Sequence, residues 1–315
     1  MGRHIAIASR GSQLALWQAN HIKAELERHH AGLTVEVKVF KTQGDKILDV
    51  PLAKIGGKGL FTKELEEAMR RGEAHMAVHS LKDVPTQFEP GFVLAGVTAR
   101  GDRRDAFLSE KYASIDELPS GCVVGTTSLR RRMQLLAHRP DLIIKSLRGN
   151  INTRSQKLKD GLYDAIVLAY TGLERLEMTR IVKHVRPIDP AIMLPAMGQG
   201  ILGLETLDDP EIMALVEPLI DEKATVESTI ERTFIDALQG GCQVPIGVSA
   251  ELFNDGSVYA KGIVGLPDGK EMITAEVRGH KEEAQALGDA LTQQAIDRGA
   301  KEMLVRAEAM AQSIL

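Results

Sequence analysis

The sequence predicts an α/β protein: two successive α/β domains of similar build, then a smaller α+β domain with a small antiparallel sheet. Three observations carry this. Short apolar runs alternate with helix-periodic stretches, the pattern of strand–turn–helix units. The alternation starts again after the charged segment Thr98-Ala99-Arg100-Gly101-Asp102-Arg103-Arg104-Asp105, as expected where a chain crosses between domains. Near the end it gives way to strand-like runs joined by Asn254-Asp255-Gly256 and Pro267-Asp268-Gly269, which is hairpin chemistry.

A chain of 315 residues, 43% apolar, is long enough for about two or three domains with ordinary cores. Aromatic residues, at 4%, are too few for base-stacking platforms. A formal net charge of -4 supplies no general field for a polyanion, so any anion site must come from local clustering. No nucleic-acid partner is expected. The apolar run Ile5-Ala6-Ile7-Ala8 follows Met1–His4 directly, with no leader-like segment before it, and no run is long enough to span a bilayer. The two cysteines, Cys122 and Cys242, are far apart and suit a reducing compartment. The expectation is a cytoplasmic protein with no membrane partner.

Taken in order, His4–Ala8 reads as a buried strand. Ser12 caps a helix over Gln13–His29, with Leu14, Trp17, Ile22 and Leu26 toward one face. Leu33–Phe40 alternates Val35, Val37 and Val39 with Glu36 and Lys38, a second strand. Thr42–Lys58 has glycines, Pro51 and lysines but no clear period, and is expected to be a mobile lid. Helix Leu60–Arg71 and strands Met76–Ser80 and Phe92–Val97 follow. The second round has strand Cys122–Thr127, helix Leu129–Arg139, strand Leu142–Leu147, helix Asn152–Lys159, strand Ala165–Ala169 and a short helix. Connections this short predict parallel sheets with right-handed crossovers. Leu194–Gly203, rich in glycine and proline, reads as a second crossing. The third part has a helix over Glu222–Leu238 stopped by Gly240-Gly241, strands Val248–Leu252, Val258–Val264 and Glu271–Val277, and a long amphipathic stretch, Lys281–Gln312.

Two features point to chemistry. Arg130, Arg131 and Arg132 fall in the first turn of one helix, Arg154 in that of another, and Arg10 just ahead of a third. Cations are disfavoured at helix N-termini, so the pattern makes sense if an anion docks there; screened surface arginines are the alternative. The other feature is Cys242, in a loop shaped by Gly240, Gly241, Pro245 and Gly247. A thiol there is a nucleophile or attachment point, or else a small packed residue, and the loop alone does not decide. Leu81-Lys82-Asp83-Val84-Pro85 leaves the C-terminal end of a strand, where open α/β sheets bind ligands; a turn aspartate bonding its own backbone is the competing reading of Asp83. Cys122 and His79 read as packed strand residues. With no Walker loop, H-E-x-x-H or C-x-x-C, no metal site is expected.

An ordered set of segments then resembles the porphobilinogen deaminase (hydroxymethylbilane synthase) family. They are Ser9-Arg10, Leu16-Trp17-Gln18-Ala19, Gly56-Gly57-Lys58-Gly59-Leu60-Phe61, Val78-His79-Ser80-Leu81-Lys82-Asp83-Val84-Pro85, Gly125-Thr126-Thr127-Ser128-Leu129-Arg130-Arg131, Leu147-Arg148-Gly149-Asn150, Pro195-Ala196-Met197-Gly198-Gln199-Gly200 and Gly240-Gly241-Cys242-Gln243-Val244-Pro245-Ile246-Gly247. They span nearly the whole chain. The resemblance implies two α/β domains like the lobes of a periplasmic binding protein plus a C-terminal α+β domain. The implied boundaries are 1–98 with 199–217, 103–193, and 221–315.

It further implies a transferase of porphyrin biosynthesis that joins four porphobilinogen units head to tail, with loss of ammonia, into linear hydroxymethylbilane. Growth would start on a dipyrromethane cofactor bound by a thioether to Cys242. Asp83 would hold pyrrole N–H groups at the reacting centre. Arg10, Arg130, Arg131, Arg148, Arg154 and Arg175 would bind acetate and propionate groups, with Lys82, Ser128, Ser12 and Thr126 beside them. Lys54, Gly56, Gly57 and Lys58 would belong to the lid. A monomer is expected, with transient hand-over of product to uroporphyrinogen-III synthase. Ala169-Tyr170-Thr171-Gly172 departs from the family pattern in being bulkier, near Arg175, and Met197 is a local variant. The competing function is a cytoplasmic two-lobed binding module for a small anionic solute.

Overall fold

β1 (His4–Arg10) buries every residue from Ile5 to Ser9, as a strand covered on both faces must. Ser12 accepts a hydrogen bond from Ala15 N at 3.3 Å and caps α1 (Gln13–His29), whose Ala19, Ile22 and Leu26 pack with Ile5 and Ile7. β2 (Thr34–Phe40), α2 (Lys63–Arg70), β3 (Met76–Ser80), a 3-10 turn over Leu81–Asp83 and β4 (Phe92–Val97) follow. Next come β5 (Asp105–Ser109), β6 (Val123–Gly125), α3 (Leu129–His138), β7 (Ile143–Lys145), α4 (Ile151–Lys159), β8 (Ala165–Ala169), α5 (Tyr170–Arg175) and β9 (His184–Pro187). The chain continues through β10 (Leu202–Leu207), α6 (Pro210–Val216), α7 (Glu222–Ala237), β11 (Ile246–Leu252), β12 (Ser257–Gly265), β13 (Met272–His280), α8 (Ala284–Asp297) and α9 (Ala300–Ile314). The structure, a computed structural model, describes residues 3–42, 62–239 and 244–314. The expected lid residues Lys54, Gly56, Gly57 and Lys58, and the cofactor cysteine Cys242, lie outside them.

The described residues form two compact units, one of 3–42, 62–101 and 200–225, the other of 102–199, 226–239 and 244–314. In the first, five strands run in the order β2-β1-β3-β10-β4. α1 and α6 cover one face through Ile22, Leu26, Ile212 and Leu215, and Leu65 and Met69 of α2 pack with Ala6, Ala8 and Phe92. The second unit repeats this order as β7-β6-β8-β5-β9. Leu135 of α3 packs with Val124 and Val167, while Leu158 of α4 and Leu173 of α5 pack with Ile166 and Leu168. The same unit holds the three-stranded antiparallel sheet β11-β12-β13, against which α8 and α9 lie. α7 approaches β12 so closely that a Cβ on Gly262 would sit 2.5 Å from the Phe234 ring. Met133, Leu194 and Ile263 join this sheet to α3.

The α/β reading, with its small antiparallel sheet at the end, is borne out; the all-parallel expectation is not. β10 runs antiparallel to β3 and β4, and β5 antiparallel to β8 and β9. Both strands begin in segments read as crossings. β5 begins at Asp105, the last residue of the charged run, and β10 starts inside the glycine- and proline-rich stretch. The closing amphipathic region holds two helices, separated at Arg298–Gly299, where Gly299 takes φ +90°. α7 ends as Gln239 turns left-handed, φ 52°, a helix stop usually given to glycine.

Candidate active site

In the first unit β1 lies parallel to β3, with Ile7 opposite Met76 and Ala8 opposite Ala77, so their C-terminal ends share one sheet edge. Arg10 is the last residue of β1, and Ser12 caps α1 just beyond it. Ser80 ends β3 and accepts a hydrogen bond from Gln18 Nε2 of α1 at 2.7 Å. In the 3-10 turn that follows, Leu81 and Val84 are buried, and Leu81 N donates to Ile201 O at 3.0 Å. This apolar pair anchors the turn and leaves Lys82 half-buried and Asp83 exposed between them. His79, as expected, is packed: its Nε2 lies 2.8 Å from Oε2 of the buried Glu205.

In the second unit β6 lies parallel to both β7 and β8, and three strand–turn–helix units end at one edge. After β6, Thr126 Oγ1 accepts from Ser128 N at 3.2 Å, and Ser128 Oγ accepts from Arg131 N at 3.4 Å, capping α3. After β7 come Arg148 and Gly149, the latter at φ +115°, and Asn150 caps α4 by accepting from Thr153 N at 2.9 Å. Arg154 Nε donates to Gly149 O at 2.7 Å, folding the first turn of α4 back onto that loop. After β8, α5 carries Arg175, whose pKa burial brings down to about 10 against the opposing charge of Glu174. Tyr170, the bulky departure from the family pattern, packs beside Leu168 and Leu173.

Arg130 and Arg131 face an anion of the chain's own. Both are buried, and part of the anion that their helix N-terminus called for belongs to the chain itself. Arg130 Nη1 donates to Asp105 Oδ2 at 2.7 Å; Arg131 Nε and Nη2 donate to Asp105 Oδ1 at 3.0 and 2.7 Å. Arg130 also reaches Leu194 O, and Arg131 reaches Val167 O. Burial alone would raise the Asp105 carboxyl, but the two guanidinia outweigh it and hold it far below the usual carboxylate range. Arg132 points elsewhere, its Nη1 donating to Ile144 O at 3.1 Å. Asp105 sits opposite Ala169 at the end of β8, on the same edge as the turns.

Sequence reasoning missed Asp105 and its supporter Gln199, whose Nε2 donates to Asp105 Oδ1 at 3.1 Å and Arg103 O at 2.8 Å. The available signal was the run Ala106-Phe107-Leu108, which makes Asp105 the first residue of a strand. Cys122 is buried, and burial pushes its thiol pKa up, which makes it a poor nucleophile. Among the described residues, no group of three or more His, Cys, Asp or Glu could hold a metal, and no helix is long and apolar enough to cross a membrane.

In each unit arginines and hydroxyls stand at the C-terminal ends of parallel strands, and in the first an exposed carboxylate stands beside them, residue types that suit a small polyacid. Residues 5–214 match the family model "porphobilinogen deaminase, dipyromethane cofactor binding domain", and 225–297 match "porphobilinogen deaminase, C-terminal domain". The chain belongs to the porphobilinogen deaminase family. It is 56% identical to porphobilinogen deaminase of Aliarcobacter butzleri and 58% identical to that of Nitratiruptor sp., each over 98% of both chains. Among solved structures, the probable amino-acid ABC transporter extracellular-binding protein YtmK of Bacillus subtilis covers 70% of this chain and 90% of its own, at 10% identity and a TM-score of 0.42. A likeness that loose adds nothing to the strand order. The binding-module reading is not better supported than the enzyme.

Proposed function

We propose that the chain is a hydroxymethylbilane synthase. It joins four porphobilinogen molecules head to tail on a dipyrromethane primer attached by a thioether to Cys242. At each addition the aminomethyl C–N bond breaks, a C–C bond forms to the free α-carbon of the acceptor pyrrole, and the proton displaced there balances the departing ammonia. The observation that carries the reading is that, within one unit, Arg10, Lys82 and the exposed Asp83 all stand at the C-terminal ends of neighbouring parallel strands.

The donor set fits the cofactor. Each pyrrole brings two carboxylates, and Arg10, Arg148, Arg154 and Arg175, with Lys82, Ser12, Thr126 and Ser128, are of the kind that bind them. Arg130 and Arg131 bring two charges against the one on Asp105, so they leave a net positive charge at the same edge. When bound, the cofactor supplies the free pyrrole carbon on which the chain grows. Asp83 accepts the pyrrole N–H and offsets positive charge as ammonia leaves, an interaction that strengthens toward the transition state.

The chain parts into domains 1–98 with 199–217, 103–193, and 221–315. The protein acts in the cytoplasm as a monomer and passes its product to uroporphyrinogen-III synthase. Intact-mass measurement tests the core of this reading. The isolated protein should exceed its sequence mass by a dipyrromethane and react with Ehrlich's reagent. Cys242→Ser should lose the adduct and Cys122→Ser should keep it. An adduct on Cys122, or none, would overturn the proposal.

A further inference from the structure

Gly203 is a poor residue for its place. It stands in β10, opposite His79 of β3 and Val97 of β4. In a strand paired on both sides a glycine brings no side chain to pack and weakens the strand. Its φ lies outside the left-handed region, so the backbone conformation does not call for glycine. The space beside it does. A Cβ at position 203 would stand 3.1 Å from Leu81 Cδ1, 3.2 Å from Leu94 Cδ1 and 3.5 Å from Val84 Cγ2. Leu81 and Val84 are the two buried residues that anchor the 3-10 turn, with Asp83 exposed between them.

The turn therefore meets the β10 segment twice. Ile201 O, just ahead of the strand, accepts from Leu81 N at 3.0 Å, and Val84 N closes the turn on Leu81 O at 3.1 Å. Two residues further on, the bare backbone of Gly203 is the floor on which both anchoring side chains rest. A methyl there would push its neighbours back by a few tenths of an ångström. Leu94 is half-buried and can give way; Leu81 is fully buried and carries the turn with it. We infer that Gly203 is a positioning residue for Asp83. Its missing side chain sets how deeply Leu81 and Val84 seat, and so where the carboxylate between them stands. The inference rests on the proposed role of Asp83.

The test reads turnover of porphobilinogen by full-length, cofactor-loaded protein, together with melting temperature and amide exchange at Leu81 and Val84. Gly203→Ala should lower kcat roughly tenfold, and more than it changes KM, because small displacements of reacting groups are costly. Exchange at both amides should speed up. Gly203→Ala/Leu81→Val, which takes away the Cδ1 methyl, should recover most of the lost kcat. Ile212→Ala, a cavity in the core of the same unit, should melt below wild type yet keep its kcat. In an Asp83→Asn background Gly203→Ala should cost less than about twofold, since residues that act through one another are not additive. Wild-type kcat or wild-type exchange in Gly203→Ala, a full further loss in the Asp83→Asn background, no recovery in the double variant, or a kcat loss in Ile212→Ala that follows its melting temperature would each overturn the inference and leave the proposed function intact. If Gly203→Ala is not recovered folded, Val84→Ile crowds the same space from the side of the turn, and wild-type kcat there overturns the inference alone. Turnover of Asp83→Asn at the wild-type rate overturns the proposed role of Asp83, and this inference with it.

Discussion

Two aspartates at strand ends have opposite surroundings, and their neutral variants should fail in opposite ways. Asp105 is buried between two guanidinia. Removing one partner of a buried ion pair leaves uncompensated charge, so Asp105→Asn should destabilise the protein by about 3–5 kcal/mol, read from denaturant midpoints. Because the folded carboxyl is held below its ordinary value, its contribution is complete above about pH 4 and fades as the pH falls further. The gap between wild type and Asp105→Asn should therefore narrow in strong acid. Asp83 is exposed, on a turn anchored by Leu81 and Val84. Asp83→Asn should melt like wild type while turnover on cofactor-loaded protein drops about a hundredfold or more. Asp83→Glu, with its charge displaced by one methylene, should lie between. Turnover of Asp83→Asn near the wild-type rate would mean that another anion stabilises the developing charge.

At the level of elements, several groups hold the turn between β7 and α4. Leu147 is buried, Gly149 supplies the positive φ, Asn150 caps the helix, and Lys157 Nζ donates to Arg148 O at 3.2 Å. Arg148→Leu should slow elongation roughly ten- to hundredfold, the worth of one charge-assisted contact. The mass spectrum should show enzyme-bound intermediates accumulating; an unchanged ladder would exclude Arg148 from carboxylate binding. Elements like these were legible because periodicity, caps and turn residues agreed: α1, β3, β4 and β8 fall at the expected residues. β5 and β10 were not. A strand can begin with a charged residue if a distant partner neutralises it, and Arg130 and Arg131 lie far along the chain from Asp105. Likewise Glu205 and Thr206 are buried within β10, so its composition does not announce a central strand. Misplaced arginines could be seen in the sequence; the carboxylate that shares them could not.

For the whole molecule, the decisive feature is that β10 inserts between β3 and β4 after the chain has built the second five-stranded sheet. A chain ending at Gln199 would keep every residue proposed to touch substrate except Cys242, yet β3 and β4 would face each other's unpaired edges. Such a fragment should be largely insoluble and lack the cooperative melt of the full chain. A soluble fragment with a sharp melt would show that β10 is dispensable for folding.

The late arrival of β10 also sets a timetable for synthesis. Chains emerge N-terminus first, at about 5–20 residues per second, and fold as their parts become available. The second five-stranded sheet takes all its strands from one continuous stretch, β5 to β9, so it can close while the first still lacks the strand between β3 and β4. The first sheet is thus begun first and finished second. The thiol of Cys242 is added to the nascent chain only after the last strand of both sheets has been made.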